Sequence, residues 1–407
     1  MEVVYRCCCG IDVHKKVIVA CLIKGGKREL RELGTTTSEI RELANWLTEA
    51  SCEMIAMEST GVYWKPLYNL FEILGLDAIV VNASHMKAVP GRKTDMKDAE
   101  WIADLLRHGL LKASFIPDRE QRERREIARY RKSLIEERAR ELNRLQKVLE
   151  GANIKLASVV TDINGVSSRK LLDTIIAGKT LNANEVEQLL APNMKPRLEL
   201  IMSSMDGIIT PLQRKLIAKI ADHIDDMTRR IADMDDLIRD YLSEYEGTIA
   251  ELDEMTGIGR RSAEVILSEI GTDMSRFPSA SHLSSWAGVA PGNNQSAGRQ
   301  KHGKTTKGNK ALKTTLVQCA NAAVKNKNSY FSAQYQRIAA RRGKNRATMA
   351  VAHSMLIAIY HMLKNKVAFH DLGVDYYDNF NKEHKINGYL KRLRALGWTP
   401  PPVTVPA

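Results

Sequence analysis

The chain has 407 residues, 44% of them hydrophobic, with 61 lysines and arginines, 48 acidic residues and a formal net charge of +13. That length and apolar content provide for two or three domains with their own cores, and the basic balance favours a polyanionic partner. Six cysteines without disulfide or zinc spacing, a start that lacks a secretory pattern, and a most apolar late stretch (347–363) too short for a bilayer argue against a disulfide scaffold, a zinc site, a secretory signal and a membrane span, and give the expectation of a soluble, cytoplasmic chain with reduced thiols.

Residues 3–13, 16–24 and 27–34 read as three strands, the first two joined by a polar turn. Cys7, Cys8 and Cys9 alternate across the first and are expected to pack as small apolar residues. Thr36 and Glu39 form a capping-box signature ahead of a helical pattern over 39–50. Residues 53–58 read as a buried strand, 63–74 as a helix, 77–81 as a strand, and 95–108 as an amphipathic helix with acids in its first turn. This order predicts an α/β domain over 1–115 with a mixed central sheet, and it suits the ribonuclease H-like fold.

Residues 116–250 change character. A densely charged helix over 119–149 carries Ile127, Leu134, Ile135, Leu142, Leu145 and Leu149. Later, Ile217, Ile220, Ile224, Met227, Ile231, Met234, Ile238, Tyr241 and Tyr245 alternate three and four apart. Such heptads are a coiled-coil pattern, serving either a helical hairpin within the chain or a dimer seam. Between them, 151–207 reads as a helical insertion of weak periodicity.

A last domain is expected over 251–366. Thr256-Gly257-Ile258-Gly259 opens it ahead of a helix over 263–270. This Gly-x-Gly turn is either a plain link between helices or, as in helix-hairpin-helix modules, a phosphate contact through backbone N–H groups at Gly257 and Gly259. From 274 to 370 there is no Asp or Glu across 97 residues, while 16 Lys or Arg are present. About 11 acids would be expected there at the chain-wide frequency. Carboxylates repel phosphates and each cation releases counterions on contact, so the segregation favours nucleic acid over a merely basic surface. In its middle a Gly-rich loop surrounds Ser296 with Arg299, Lys301, Lys304, Lys307 and Lys310. Residues 367–407, irregular, aromatic and proline-ended, read as a tail.

Four acids stand out by position. Asp12 lies inside the first apolar strand and Glu58 ends another; Asp95 and Asp98, three apart at a helix start, share one face. A strand carboxylate among apolar residues needs a cation or hydrogen-bond donors. Convergence of the four would make an all-oxygen site favouring Mg²⁺ or Mn²⁺ over zinc, and a pair of ions about 4 Å apart stabilises both oxygens of a phosphodiester exchange. The structural alternatives are a turn residue at Asp12, a helix cap at Glu58 and favourable helix-dipole placement of Asp95 and Asp98. Asp104 belongs to a different part of the helix surface. Ser296, with no acid near it in sequence, reads either as a loop hydroxyl contacting phosphate or as a nucleophile whose alkoxide the neighbouring cations stabilise, with His302 a candidate base.

Gly10-Ile11-Asp12-Val13-His14-Lys15, Met57-Glu58-Ser59-Thr60-Gly61-Val62-Tyr63-Trp64 and Lys93-Thr94-Asp95-Met96-Lys97-Asp98-Ala99 resemble the DEDD-type transposases of insertion-sequence family 110, related to the Piv-type DNA invertases. The later motifs Thr256-Gly257-Ile258-Gly259, Gly288-Val289-Ala290-Pro291-Gly292, Ser296-Ala297-Gly298 and Lys307-Gly308-Asn309 continue the resemblance, which spans residues about 10 to 309 but gives no support for 151–207 or the tail. The resemblance implies a RuvC-like site in which Asp12, Glu58, Asp95 and Asp98 hold Mg²⁺ (or Mn²⁺), with Ser296 as the nucleophile of a transient phosphoserine. It further implies dimers and tetramers in which one subunit's metal site is completed by another's serine domain. A bridge RNA encoded by the element would select donor and target DNA by pairing, in a bacterial or archaeal, nucleoid-associated setting. The competing readings are a protein-guided DNA invertase, a RuvC-type Holliday-junction nuclease that does not need Ser296, and a chromosome-coating module independent of divalent metal. A sugar-kinase-like ATPase shares the sheet order, but no second Gly-rich phosphate loop accompanies it.

Overall fold

A computed structural model describes residues 2–59, 61–82, 95–292, 295–296, 299–300, 305, 308–380 and 382–398, with backbone alone for 95–97, 295–296, 299–300 and 385. The chain divides into two compact units, Met1–Arg119 and Glu120–Ala407.

The first unit is a mixed α/β domain. Its strands are β1 (Cys7–Val13), β2 (Ile18–Lys24), β3 (Lys27–Leu33), β4 (Met54–Glu58) and β5 (Ala78–Val81), in the order β3-β2-β1-β4-β5. β1 to β3 form an antiparallel meander, whereas β1, β4 and β5 run parallel. Parallel strands need crossovers. These are supplied by helices α1 (Thr37–Glu49) and α2 (Trp64–Leu74); α3 (Asp95–Arg107) follows β5. The Glu39 carboxylate closes the start of α1 by accepting from Thr36 N at 3.1 Å.

Alternation divides β1 between two cores. Cys7, Cys9, Ile11 and Val13 pack with Leu43 and Leu47 of α1 and with Leu67 and Phe71 of α2. Cys8 packs with Ala99, Ile102, Ala103 and Leu106 of α3. Burial pushes the Cys8 thiol up to about 12 and the Cys21 thiol to about 11, so both pack as uncharged groups.

The second unit is mostly helical. The Arg119–Gly151 and Pro211–Tyr241 helices lie antiparallel: Arg131 meets Asp235 at 2.8 Å, Arg138 meets Thr228 at 3.3 Å, and Glu141 meets His223 at 3.6 Å. One residue number rises as the other falls. Ile217, Ile220 and Ile224 share a core with Leu145 and Leu149 and with Leu171, Leu172, Ile175, Val186 and Ile201 of the intervening helices. The heptad face is therefore used within the chain, as a hairpin, over this part of its length. The pattern also ends earlier than its spacing suggests, because Tyr241 is exposed and Tyr245 lies beyond the helix in a short 3₁₀ turn.

The helices Ala280–Ala287, Lys310–Ala323 and Tyr330–Arg342 pack on Lys344–Asn365, whose Val351, Met355, Leu356 and Ile359 are fully buried; Arg260–Ile270 packs on Lys310–Ala323, and Glu246–Asp253 on Arg260–Ile270. The stretch after His370 corrects the reading of an irregular tail. Asp371 accepts from Tyr330 N at 2.8 Å, and the Tyr376 and Tyr377 rings pack on Tyr330 with centroids 5.2 and 5.4 Å away. Short helices follow at Tyr376–Asn379 and Lys382–Ala395. Scattered aromatics gave no period to read, yet they make one ring cluster. Among the described residues no helix is long and apolar enough to cross a membrane.

Buried Arg131 ties the long hairpin to this helical group, bonding Glu264 at 2.6 Å and Asp235 at 2.8 Å. Arg131→Ala would leave the buried Glu264 with Arg260, at 3.2 Å, as its remaining ion-pair partner among the described contacts. A loss of about 3 kcal/mol is expected, read from urea unfolding. A loss below about 1 kcal/mol would contradict the assignment of a buried, mutually dependent pair.

Candidate active site

The strand acids meet at one end of the sheet. Ile11 of β1 pairs with Met57 of β4. Extending that register by one residue sets Asp12 beside Glu58, on strands about 4.8 Å apart. Cys8 and Ala56 face α3, and the two-residue period sends Asp12 and Glu58 to that same face. Asp12 is 4% exposed and Glu58 half-buried. His14 Nε2 lies 3.2 Å from Asp12 Oδ2. Sequence reasoning gave His14 no role, although it stands two residues after Asp12, just past the end of β1.

Helix α3 brings its own acids to this end. It runs opposite to β1: Val4 N donates to Arg107 O at 2.9 Å, and Cys8 Sγ lies 3.7 Å from Ala103 O. At Gly10 the helix seats directly on the strand, where a Cβ would lie 2.3 Å from Ala103 N and 2.4 Å from Ala99 O. Four residues of helix advance about 6 Å, close to two residues of strand. The first turn of α3, residues 95 to 98, thus lies near the level of Asp12. Asp98 on the same turn is half-buried, while the Asp95 side chain lies outside the described residues. Asp104 points elsewhere, to Arg28 of β3 at 2.6 Å. Asp12 and Glu58 thus lie on neighbouring strands and Asp98 on the helix that packs on them, but among the described side chains no three acids, histidines or cysteines form a metal-binding group.

Among the described contacts, the His14 imidazole is one that orients this buried carboxylate. His14→Ala removes that partner from a buried carboxylate, and a loss of about 1 kcal/mol is expected, read from urea unfolding. An unchanged unfolding midpoint would show that His14 merely borders Asp12.

In the second unit, Gly257 links two helices at φ +89°, and a Cβ there would lie 2.5 Å from Ala323 N and 2.6 Å from Cys319 O. Backbone conformation and close packing on the Lys310–Ala323 helix both account for this glycine. Gly259 caps the Arg260–Ile270 helix, and Arg260 grips Glu246 with two bonds of 2.6 and 2.7 Å. Ser296 lies in β6 (Gln295–Ser296), opposite Arg299 of β7 (Arg299–Gln300). The side chains of Ser296 and Arg299 lie outside the described residues, as do Lys301, His302, Lys304 and Lys307 altogether. Lys310 is exposed on the first turn of its helix. Arg341, Arg342, Lys344 and Arg346, exposed around Gly343, add a second basic turn that spacing alone did not single out.

A transposase family model for the DEDD domain of the IS110 group matches residues 9–154, and the model of the IS116/IS110/IS902 family of transposases matches residues 249–336. The transposase for insertion sequence element IS1111A of Coxiella burnetii is 22% identical over 376 residues, covering 88% of this chain and 90% of that protein. A probable family 20 transposase of Pseudomonas aeruginosa is 23% identical over 367 residues, covering 88% and 94%. An uncharacterized 43.6 kDa protein of insertion element IS110 from Streptomyces coelicolor is 35% identical over 118 residues, 28% of each chain.

Proposed function

The chain belongs to the IS110 family of transposases, and from that premise we propose that it cuts and rejoins donor and target DNA using four carboxylates and a serine. Asp12, Glu58, Asp95 and Asp98 would hold Mg²⁺ (or Mn²⁺). The observation that carries this is the buried Asp12 beside Glu58 at the sheet end where α3 begins. The donor set is oxygen, which fits a hard cation. When bound, the ion stabilises the oxygens that gain charge during phosphodiester exchange.

Ser296 Oγ attacks the DNA phosphorus. The Ser296 O–P bond forms, the bond to the departing strand oxygen breaks, the serine proton passes to a base, and the departing oxygen takes up a proton. A hydroxyl of the second strand then attacks the phosphoserine and frees Ser296, so no ATP is consumed. Arg299, Lys301, Lys304, Lys307 and Lys310 would neutralise the phosphates, and the backbone at Gly257 and Gly259 would hold a neighbouring one. A bridge RNA from the element chooses the DNA partners, and copies of the chain assemble as dimers and tetramers. Support for RNA guidance comes from the family and from a basic, acid-free segment suited to backbone contact.

The test is strand cleavage by the full chain on DNA carrying the element's ends, with Mg²⁺ or EDTA and with or without the transcript of the flanking DNA. Cleavage that needs both Mg²⁺ and transcript is expected. Cleavage with Mg²⁺ alone would make it a protein-guided invertase or a nuclease, and cleavage in EDTA would overturn the carboxylate site.

A further inference from the structure

Glu269, in the Arg260–Ile270 helix, is fully buried and serves three partners at once. Arg129 meets its carboxylate with both arms of the guanidinium, at 2.7 and 2.8 Å. Arg125 Nε lies 3.4 Å from Oε2, and the same guanidinium donates to the Glu269 carbonyl. The third partner is Asn309, whose Nδ2 donates to Oε2 at 2.6 Å.

The two oxygens of a carboxylate accept several hydrogen bonds, and the third donor is informative because of where it comes from. Asn309 stands at the far end of the segment that bears Ser296. Its Oδ1 accepts from Leu312 N at 3.1 Å, and its own N–H donates to Trp286 O, also at 3.1 Å. Arg125 covers the Trp286 ring, 5.3 Å from its centroid. Gly308 lies against the end of the Ala280–Ala287 helix, where a Cβ would come within 2.3 Å of Gly288 N. The near end of the segment leaves from the same place, since Val289 N and Ala290 N both donate to Ser284 O. Both ends of the serine segment therefore stand on one buried base, and the Glu269–Asn309 bond fastens the far end to the Arg119–Gly151 helix through Arg125 and Arg129.

We infer that Glu269 and Asn309 are positioning residues that set where the Ser296 segment emerges from the domain. They act through the backbone of Gly308 and Asn309 and do not touch DNA. The inference rests on the proposed role of Ser296. Fully satisfied buried polar networks hold one geometry, and an error of about 1 Å at a reacting group can cost about a hundredfold in rate.

Asn309→Ser isolates the clamp, because serine caps a helix as well as asparagine but has no amide to reach Glu269. Asn309→Asp also keeps the cap and sets a second carboxylate against Glu269. Both are compared with the wild-type full chain, with Mg²⁺, flanking transcript and DNA, for single-turnover cleavage, DNA affinity and thermal melting. For each, the cleavage rate per folded molecule is expected to fall at least about tenfold while DNA affinity stays within about threefold; melting should stay within a few degrees for Asn309→Ser and fall further for Asn309→Asp. Wild-type rates per folded molecule in both variants, whatever the melting temperature, would overturn the inference and leave a purely structural ion cluster. Ser296→Ala in parallel separates the claims. Wild-type cleavage by that variant removes the serine assignment, whereas the clamp stands or falls on the two Asn309 variants.

Discussion

Asp12→Asn is expected to lower Mg²⁺-dependent DNA cleavage by about a thousandfold or more while leaving the fold as stable as before, or more so. The two effects have one origin. The carboxylate is 4% exposed in a strand whose neighbours are apolar, so folding without a bound cation carries a desolvation cost, with His14 among the groups that offset it. Asparagine has the same shape, still offers an oxygen to His14 Nε2, and has no charge to desolvate. Melting measured in EDTA should therefore be unchanged or raised, by up to about 1 kcal/mol. Cleavage fails because a neutral amide is a poor ligand for a hard cation. DNA binding should persist, since a negative charge has been removed and no cation lost. A variant that keeps more than about a tenth of the wild-type rate, or that melts well below wild type, would contradict a metal-holding Asp12 and support a structural one.

The second large effect is expected at Gly10, which no chemical reading would select. A Cβ there meets backbone atoms of α3, Ala103 N and Ala99 O, which cannot rotate away as a side-chain tip can. Gly10→Ala must lift the helix from the sheet. Overpacking of this kind typically costs about 1–3 kcal/mol. The same displacement carries Asp95 and Asp98 away from Asp12 and Glu58, so the folded fraction should also lose about a hundredfold in cleavage. Gly247→Ala is the control, because no atom lies within 4 Å of a Cβ at that position. It should change stability by less than about 1 kcal/mol and leave cleavage intact. Wild-type behaviour of Gly10→Ala would mean that the seat of α3 on β1 does not set the acid geometry.

The first unit was legible because its signals are local. The apolar run of β1, the Thr36–Glu39 box and the alternation through Glu58 each fix an element within a few residues, and the observed strands and helices follow those runs closely. The approach of Asp12 to Glu58 also follows from strand order. What local pattern cannot give is a partner distant in sequence. The heptad face of the Pro211–Tyr241 helix shows that it must be covered; that Leu145 and Leu149 cover it rests on the antiparallel fold-back. Arg125 and Arg129 read as two more charges on a charged helix, and Glu269 as an acid near a helix end, until a separation of 140 or more residues is closed. Asn309 looked like part of a basic motif but supplies a helix cap and a buried amide. Tyr330, Tyr376 and Tyr377 were spread too far apart to suggest a cluster, which is why the end of the chain read as irregular.

Trapping label on the protein tests the exchange chemistry most directly. Wild type, Ser296→Ala and Asp12→Asn are each incubated with Mg²⁺, flanking transcript and end-labelled DNA, then denatured and separated. A denaturation-resistant protein–DNA adduct in wild type, absent from both variants and from EDTA, is the predicted result. Metal-dependent cleavage that persists in Ser296→Ala with no adduct in any lane would contradict the serine mechanism and leave a hydrolytic nuclease built on the same four acids.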